Sequence, residues 1–213
     1  YGMTETSPIV AGTPMGPSRR LGALGLPFPS TDVRVVDPEA PDPDREVPDG
    51  EPGELLVRGP QVFAGYWEDE AATQAAILPG GWLRTGDIVR REDSFLWMAD
   101  RKRELILTGG FNVYPSQVEA AIRSMKGVVD VAVVGLPDGA KGELVCAAVV
   151  LTEGTAPGSV TLEAVREHAE RTVPRYALPH RLEVIEEMPR SQIGKILRRL
   201  VREKVLERTT GED

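Results

Sequence analysis

The stretch DRKRELILTGGFNVYPSQVE, residues 100–119, is where the chain changes its pattern. Asp100 to Glu104 are all charged, ELILT then has strand composition, Gly109-Gly110 reads as a turn, and Pro115 suits the first position of a helix, where its missing N–H has no partner to lose. Working outward toward the C-terminus, PSQVEAAIRSM reads as a helix and VVDVAVVGL and ELVCAAVVL as strands. TLEAVREHAERT reads as a helix capped by Thr161, RLEVIEE as a strand and GKILRRLVREKVL as a helix. The order strand, helix, strand, strand, helix, strand, helix predicts a compact α+β domain over residues 102–213.

Working outward in the other direction, residues 31–37 (TDVRVVD) and 54–59 (ELLVRG) have strand composition. The connection between them, PEAPDPDREVPDGEP, is too rich in Pro and acid to pack, and reads as a long solvated hairpin connection. A short helix is expected from Asp69 to Leu78. GGWLRTGD then turns the chain, and IVRRE and SFLWMAD alternate as a second pair of strands. Residues 1–101 therefore read as a small, mostly antiparallel β unit.

The 213 residues are 41% hydrophobic, enough for a real core, and no apolar run approaches the ~18 residues of a membrane span. The start, YGMTETSPIV, lacks the basic and apolar regions of a signal peptide, so a cytoplasmic location is the expectation. A formal charge of −8 argues against a general nucleic-acid surface. The local cluster Lys195, Arg198, Arg199 and Arg202 could still hold a small polyanion, and nucleotide phosphates fit that scale better than a duplex. The single Cys146 lies in LVCAAVVL and reads as a small buried hydrophobe, leaving no internal disulfide. His168 and His180 have no Cys, His or acidic set at ligand spacing beside them, which gives zinc or a Ser-His triad little support.

Four segments could carry chemistry. In YGMTET, Thr4 and Glu5 place a hydroxyl beside a carboxylate, a pair able to donate to a phosphate and ligate Mg²⁺, or simply to cap a turn. In GWLRTGDIV, Asp87 could accept two hydrogen bonds from a ribose diol, although the spacing alone favours an ordinary Gly-Asp turn. Gly109-Gly110 permit positive φ and close approach of a ligand, as they would in any tight turn. In PRSQIGKILRR, Ile193, Ile196, Leu197, Leu200 and Val201 form one helical stripe. Lys195, beside Gly194 at the expected start of that helix, could reach a phosphate or belong to a solvated basic face.

Taken in order, YGMTE, GELLVRGPQVFAGYW, GWLRTGD, DRKRELILTGGFNVYPSQVE and PRSQIGK resemble the adenylate-forming superfamily of acyl-CoA and aryl-CoA synthetases, peptide-synthetase adenylation domains and beetle luciferases. The five ordered matches cover almost the whole chain, and the wording NVYPSQVE is most similar to fatty-acyl-CoA synthetases. The resemblance implies a distorted antiparallel β-barrel subdomain over residues 1–101, ending a large N-terminal domain, followed by a small mobile α+β lid over residues 102–213. It implies that Tyr1 lies against adenine with Gly2 beside the nucleotide, Thr4 contacts the α-phosphate, Glu5 helps hold Mg²⁺, Asp87 binds the ribose hydroxyls and Arg101 supports ribose or phosphate. Lys195 would stabilise the pentavalent phosphorus, Arg103 would occupy the hinge, and Gly109, Gly110 and Phe111 would line the thiol channel.

The implied reaction joins a carboxylic acid to AMP from ATP and then to coenzyme A, in a soluble enzyme for which a homodimer is compatible. Attack of a carboxylate on the α-phosphorus brings two anions together and calls for cations, whereas the thiol step calls for an open path past backbone. One arrangement cannot serve both, which gives a moving lid its chemical purpose. Some residues depart from the family's pattern: Gln117 stands where an acid is common, Arg103 where Lys or Asp is usual and Ser94 where a turn Gly is frequent. The family's Gly- and Ser/Thr-rich phosphate loop and its large N-terminal region are absent from these residues, and Tyr1 falls inside a motif, so a longer parent protein is expected, with this chain alone inactive. Two alternatives stay open: a peptide-synthetase-type domain delivering to a carrier protein, and, for this chain by itself, a nucleotide-binding or interaction module without turnover.

Overall fold

Strand β4, Gly53–Arg58, is apolar on both faces: Leu55 and Val57 pack with Val10, Val35, Val89 and Leu96, while Leu56 packs with Val36 and Trp82. A strand buried on both sides reads as a continuous apolar run rather than an alternation, and belongs in the middle of a sheet. The computed structural model, which describes residues 1–139, 142–155 and 158–210, puts it there. β3, Asp32–Val36, and β6, Trp82–Glu92, flank it antiparallel, and the far side of β6 takes β5, Ile77–Leu78, at one end and β7, Phe95–Arg101, at the other. A short ladder of β1, Ala11–Gly12, and β2, Leu26–Pro27, lies outside that sheet, and α1, Glu70–Ala76, starts at Asp69, whose carboxylate accepts from Ala72 N–H at 2.9 Å. The five main strands form an open sheet among the described residues, not a closed barrel.

Two expectations change here. The Pro- and acid-rich connection after β3 is not a free loop: Val47 N–H donates to Val35 O at 2.8 Å, Glu46 bridges Val36, Arg34 reaches Pro43 O, and Pro38 is buried. Its backbone groups find partners on the strand edge, so its composition limits regular structure and not packing. WLRTGD, read as a turn, is the first half of the 11-residue β6, interrupted by an irregularity: Glu54 faces Ile88 and Leu56 faces Arg84, so Leu55 stands opposite Thr85, Gly86 and Asp87. The chain reverses later, at Asp93-Ser94, both with positive φ (47° and 70°), as the tightest hairpin turns require.

Contacts divide the chain into two units, Tyr1–Arg103 and Glu104 onward. In the second, β8, Ile106–Thr108, and β9, Phe111–Val113, form a hairpin through Gly109-Gly110, both left-handed with φ of 56° and 83°. β9 is one strand more than the sequence pattern predicts. The central sheet pairs β10, Val128–Pro137, antiparallel with β11, Glu143–Leu151, and β11 parallel with β12, Arg181–Val184. Alternation along β10 and β11 sorts their side chains to two faces. Val131, Val133, Val145, Ala147 and Val149 meet Val118 and Ile122 of α2, Pro115–Arg123, and Val165 of α3, Leu162–Ala169. Ala132, Val134, Cys146 and Ala148 meet Val201 and Val205 of α4, Arg198–Thr210. The class is α+β. Each fully buried aliphatic side chain in these layers contributes about 1.5–3 kcal/mol of transfer free energy.

The last helix also starts later than its apolar stripe suggests. Gly194 has φ of 80°, Arg190 bridges Ile196, and Ile193 is 79% exposed, so residues 190–197 make a tight turn that presents Lys195 before α4 begins at Arg198.

Candidate functional site

The irregularity in β6 is what aims Asp87. Extra residues in one strand of a pair bend it and redirect a side chain, and Gly86 absorbs the bend with φ of 68° while the Thr85 hydroxyl donates to Leu55 O at 2.8 Å, filling the gap in the ladder. Thr85 Oγ1 also accepts from Asp87 N–H at 3.1 Å. With its backbone so fixed, the Asp87 carboxylate receives the Tyr1 hydroxyl on Oδ2 at 2.6 Å and faces Arg101 Nε from Oδ1 at 3.5 Å, Arg101 being its register partner on β7. Burial first, then the hydrogen bond to and charge of Asp87, hold the Tyr1 phenol far above its ordinary range, so it remains a protonated donor.

Tyr1 opens a small polar turn. Its carbonyl accepts from Val10 and Ala11 N–H at 2.9 and 3.1 Å. Gly2 bridges Ile9, and a Cβ at Gly2 would lie 1.7 Å from Pro8 O, so only glycine fits there. The fully buried Thr6 hydroxyl stands 3.0 Å from Met3 O and 3.2 Å from Pro8 O, and accepts from Met3 N–H at 3.2 Å. Thr6 thus holds the turn together, which leaves the exposed Thr4 hydroxyl without a hydrogen bond among the described residues. Glu5 is steadied through its backbone, which accepts from Phe63 N–H at 2.9 Å, and through Oε1, which accepts the Tyr66 hydroxyl at 3.0 Å. Phe63 and Tyr66 pack edge to face at 4.8 Å. The turn borders a cleft of about 600 Å³ whose lining includes Tyr1, Gly2, Thr4, Ala11, Gly12 and Phe28.

The first unit therefore gathers Tyr1, Asp87 and Arg101 into one set, joined by a hydrogen bond from Tyr1 and an ion pair with Arg101, and places Gly2, Thr4 and Glu5 on the turn that Tyr1 begins. Near Arg101, the 1% exposed Glu54 pairs with Arg84 in a bidentate fork at 2.7 and 3.1 Å and lies 3.6 Å from Lys102 Nζ, which also reaches Pro38 O. Arg103, one residue on, is exposed. Sequence reasoning missed Thr6, Thr85 and Tyr66. Tyr66 lay inside a quoted motif, but nothing local links it to Glu5, 61 positions away.

The second unit carries the other candidates at two separate places. Gly109 and Gly110 cap the β8–β9 hairpin with open space around both, and Phe111 stacks on Tyr176 at 4.5 Å between ring centroids. Lys195 is exposed, with its ammonium unpartnered among the described residues, on a turn closed by Ser191 N–H to Lys195 O at 2.8 Å and Gly194 N–H to Ser191 O at 2.9 Å. The arginines expected to join it in binding a polyanion are engaged elsewhere. Arg198 pairs with Glu119 and Glu104, Arg199 with Glu203, and Arg202 with Gly135 O and Glu143. These internal carboxylates neutralise the cluster, so Lys195 is the cation of the four that stays available.

As to cations, Glu5 Oε1 is occupied by Tyr66, which leaves Oε2 for a ligand. One carboxylate oxygen suits Mg²⁺ in the mode in which phosphate oxygens and water complete the shell.

Residues 1–67 match the family model described as AMP-binding enzyme, and residues 117–195 match that of the AMP-binding enzyme C-terminal domain. A long-chain-fatty-acid–CoA ligase of Escherichia coli is 44% identical over 205 residues, covering 96% of this chain and 35% of that protein. Indoleacetate–CoA ligase of Aromatoleum aromaticum is 39% identical over 216 residues, covering 100% of this chain and 40% of that one. Among solved structures, ATP-bound MatB from Rhodopseudomonas palustris superposes with a TM-score of 0.84 at 33% identity, over 96% of this chain and 39% of the other. The Mycobacterium tuberculosis fatty acyl CoA synthetase gives 0.60 at 33% identity, over 87% and 35%. The chain spans about a third of the length of the curated relatives it matches. With both family models matched in order and the ordered motifs around Tyr1, Asp87 and Lys195 in place, the chain belongs to the AMP-binding, adenylate-forming enzyme family.

Proposed function

We propose that the protein containing this chain activates a carboxylic acid as its acyl-adenylate and then transfers the acyl group to coenzyme A. The observation that carries the reading furthest is the Asp87 carboxylate, held by Tyr1 and Arg101 on a strand irregularity. A carboxylate fixed in that way is an acceptor for two adjacent hydroxyls, as in ribose. Tyr1 lies against adenine, Gly2 lets the backbone approach the nucleotide, Thr4 donates to the α-phosphate, and Arg101 supports ribose or phosphate. Glu5 Oε2 is the protein oxygen offered to Mg²⁺, whose chemistry is to offset phosphate charge.

The second unit acts as a lid in this reading, pivoting at Arg103. Lys195 stabilises charge on the phosphorus in the first half-reaction, and the Gly109–Phe111 segment admits the thiol in the second. The first unit is the closing part of a distorted β-barrel subdomain completed elsewhere in the longer protein. The enzyme is read as cytoplasmic; no helix among the described residues is long and apolar enough to cross a membrane. The matched ligases support a fatty or aryl acid as substrate and coenzyme A, in preference to a carrier protein, as acceptor.

The test uses the full-length parent with ATP, Mg²⁺ and a panel of acids. Pyrophosphate release requiring all three, followed by thioester only when coenzyme A is added, is the expected result. No pyrophosphate and no hydroxylamine-trapped acyl group from any acid would sink the reading. The 213-residue chain alone is expected to show no turnover, since it spans only a third of its relatives.

A further inference from the structure

Arg198 opens α4 three positions after Lys195. Its guanidinium grips Glu119 with both prongs, Nε to Oε1 and Nη2 to Oε2, each at 2.8 Å, while Nη1 pairs with Glu104. Glu119 is 6% exposed and accepts Val133 N–H on Oε1 at 2.9 Å. One planar fork thus joins α4, α2, the backbone of β10 and the residue that follows Arg103. At the other end of the Lys195 turn, Arg190 Nη1 donates to Gly194 O at 2.6 Å and its Nη2 pairs with Asp130. The turn is held at both ends, and the ammonium between them is left unpartnered among the described residues.

Stability is a weak reason for such an arrangement, because a buried ion pair is often no better than well-packed apolar side chains of similar size. Geometry is a stronger one: a guanidinium presents donors in a fixed plane, whereas an ammonium is a point charge that fixes no direction. We propose that Arg198 is a positioning residue for Lys195, and that by holding Glu119 and Glu104 together it sets where the ammonium stands relative to the segment beside Arg103. The inference rests on the reading of Lys195 given above. It predicts that loosening the fork misplaces the ammonium without removing it, harming adenylation and sparing the thiol step.

The experiment compares wild type, Arg198→Lys, Glu104→Gln, Lys195→Ala and the Arg198→Lys/Lys195→Ala double variant in the full-length parent. The readouts are both half-reactions and amide hydrogen exchange over residues 190–197. Glu104→Gln is partly exposed and serves should Arg198→Lys fold poorly. Expected are faster exchange in the turn, adenylation slower by roughly ten- to a hundredfold, as small misplacements of a catalytic group produce, and thioester formation from supplied acyl-adenylate within about twofold of wild type. In the Lys195→Ala background, Arg198→Lys should cost adenylation nothing further. Unchanged exchange, equal damage to both half-reactions, or a full Arg198 effect without Lys195 each overturns the inference while leaving the enzyme's activity established. Absence of pyrophosphate release from wild type fails the functional reading itself, and the inference with it.

Discussion

The Tyr1 hydroxyl donates to Asp87 Oδ2 at 2.6 Å across 86 positions of sequence, and Arg101 Nε faces the other oxygen of the same carboxylate at 3.5 Å. The carboxylate is 14% exposed, so it is shielded but reachable, and its lone pairs are only partly used. Replacing Asp87 by Ala is expected to weaken nucleotide binding to the parent protein by about 10- to 100-fold, since hydrogen bonds to charged groups contribute roughly 1.5–3 kcal/mol. Tyr1→Phe removes one orienting donor and should cost less. Calorimetric titration with AMP measures both, and unaltered affinity in Asp87→Ala would take this residue out of the nucleotide site.

Lys195 and Gly110 should separate the two half-reactions. Lys195→Ala is expected to slow adenylation by ~10²–10³, the usual loss for one charge-stabilising group, and to spare thioester formation from supplied acyl-adenylate. Gly110→Leu should do the reverse. Because Gly110 has φ of 83° and open space around it, any side chain there adds backbone strain, so Gly110→Asn, which tolerates that conformation, controls for strain apart from bulk. Equal impairment of both steps by Lys195→Ala and Gly110→Leu would contradict a two-position lid.

Ser94 should be improvable. It holds φ of 70° in the two-residue turn between β6 and β7, a conformation glycine adopts without cost. Ser94→Gly is expected to stabilise by about 0.5–1 kcal/mol, part of the relieved strain being offset by the freer unfolded chain. A lower Tm or an unchanged one in thermal unfolding would count against strain at this turn.

Cys146 supplies a pH dependence. Burial first, and then the charge of Glu183, push its thiol up to about 12 from an ordinary value of 9.0. The folded state therefore keeps the proton that the unfolded state loses, so stability is intact below pH 9 and falls as pH rises from 9 toward 12, by up to ~1.4 kcal/mol per pH unit from this group. Cys146→Ala should flatten that portion of the denaturation profile, and the native thiol should resist alkylation at pH 8. Rapid labelling of folded protein would show that the thiol is reachable.

The α+β class and the family were legible because they rest on local patterns: the change of periodicity after Asp100, Pro115 at a helix start, Thr161 as a cap that accepts from Ala164 N–H at 3.2 Å, and five motifs in order. Long-range pairing was not. The reading of Lys195 as a first-turn helical residue failed because Ile196 and Leu197 are apolar for another reason: Leu197 N–H donates to Pro189 O at 2.9 Å and Ile196 packs beneath α4. A stripe counts apolar residues and cannot tell a helix from a pinned turn. The basic face at Arg198, Arg199 and Arg202 looked free because Glu119 and Glu143, which pair with two of these arginines, lie 79 and 59 positions away. Thr85-Gly86-Asp87 looked like a turn because the residues that suit a turn also suit an irregularity within a strand.

That irregularity changes what insertions and deletions can do to this lineage of sequences. Leu55 alone faces Thr85, Gly86 and Asp87, so β6 carries two residues more than a regular ladder needs, and an even surplus leaves Ile88 on the face it would have occupied without it. Deleting Gly86 and Asp87 together should restore regular pairing and leave a folded sheet that no longer binds nucleotide. Deleting only one residue should turn Ile88 and everything after it to the wrong side. Circular dichroism beside nucleotide titration would separate the two outcomes. At this point on the strand the site can be lost without the fold, but the length can drift only in pairs.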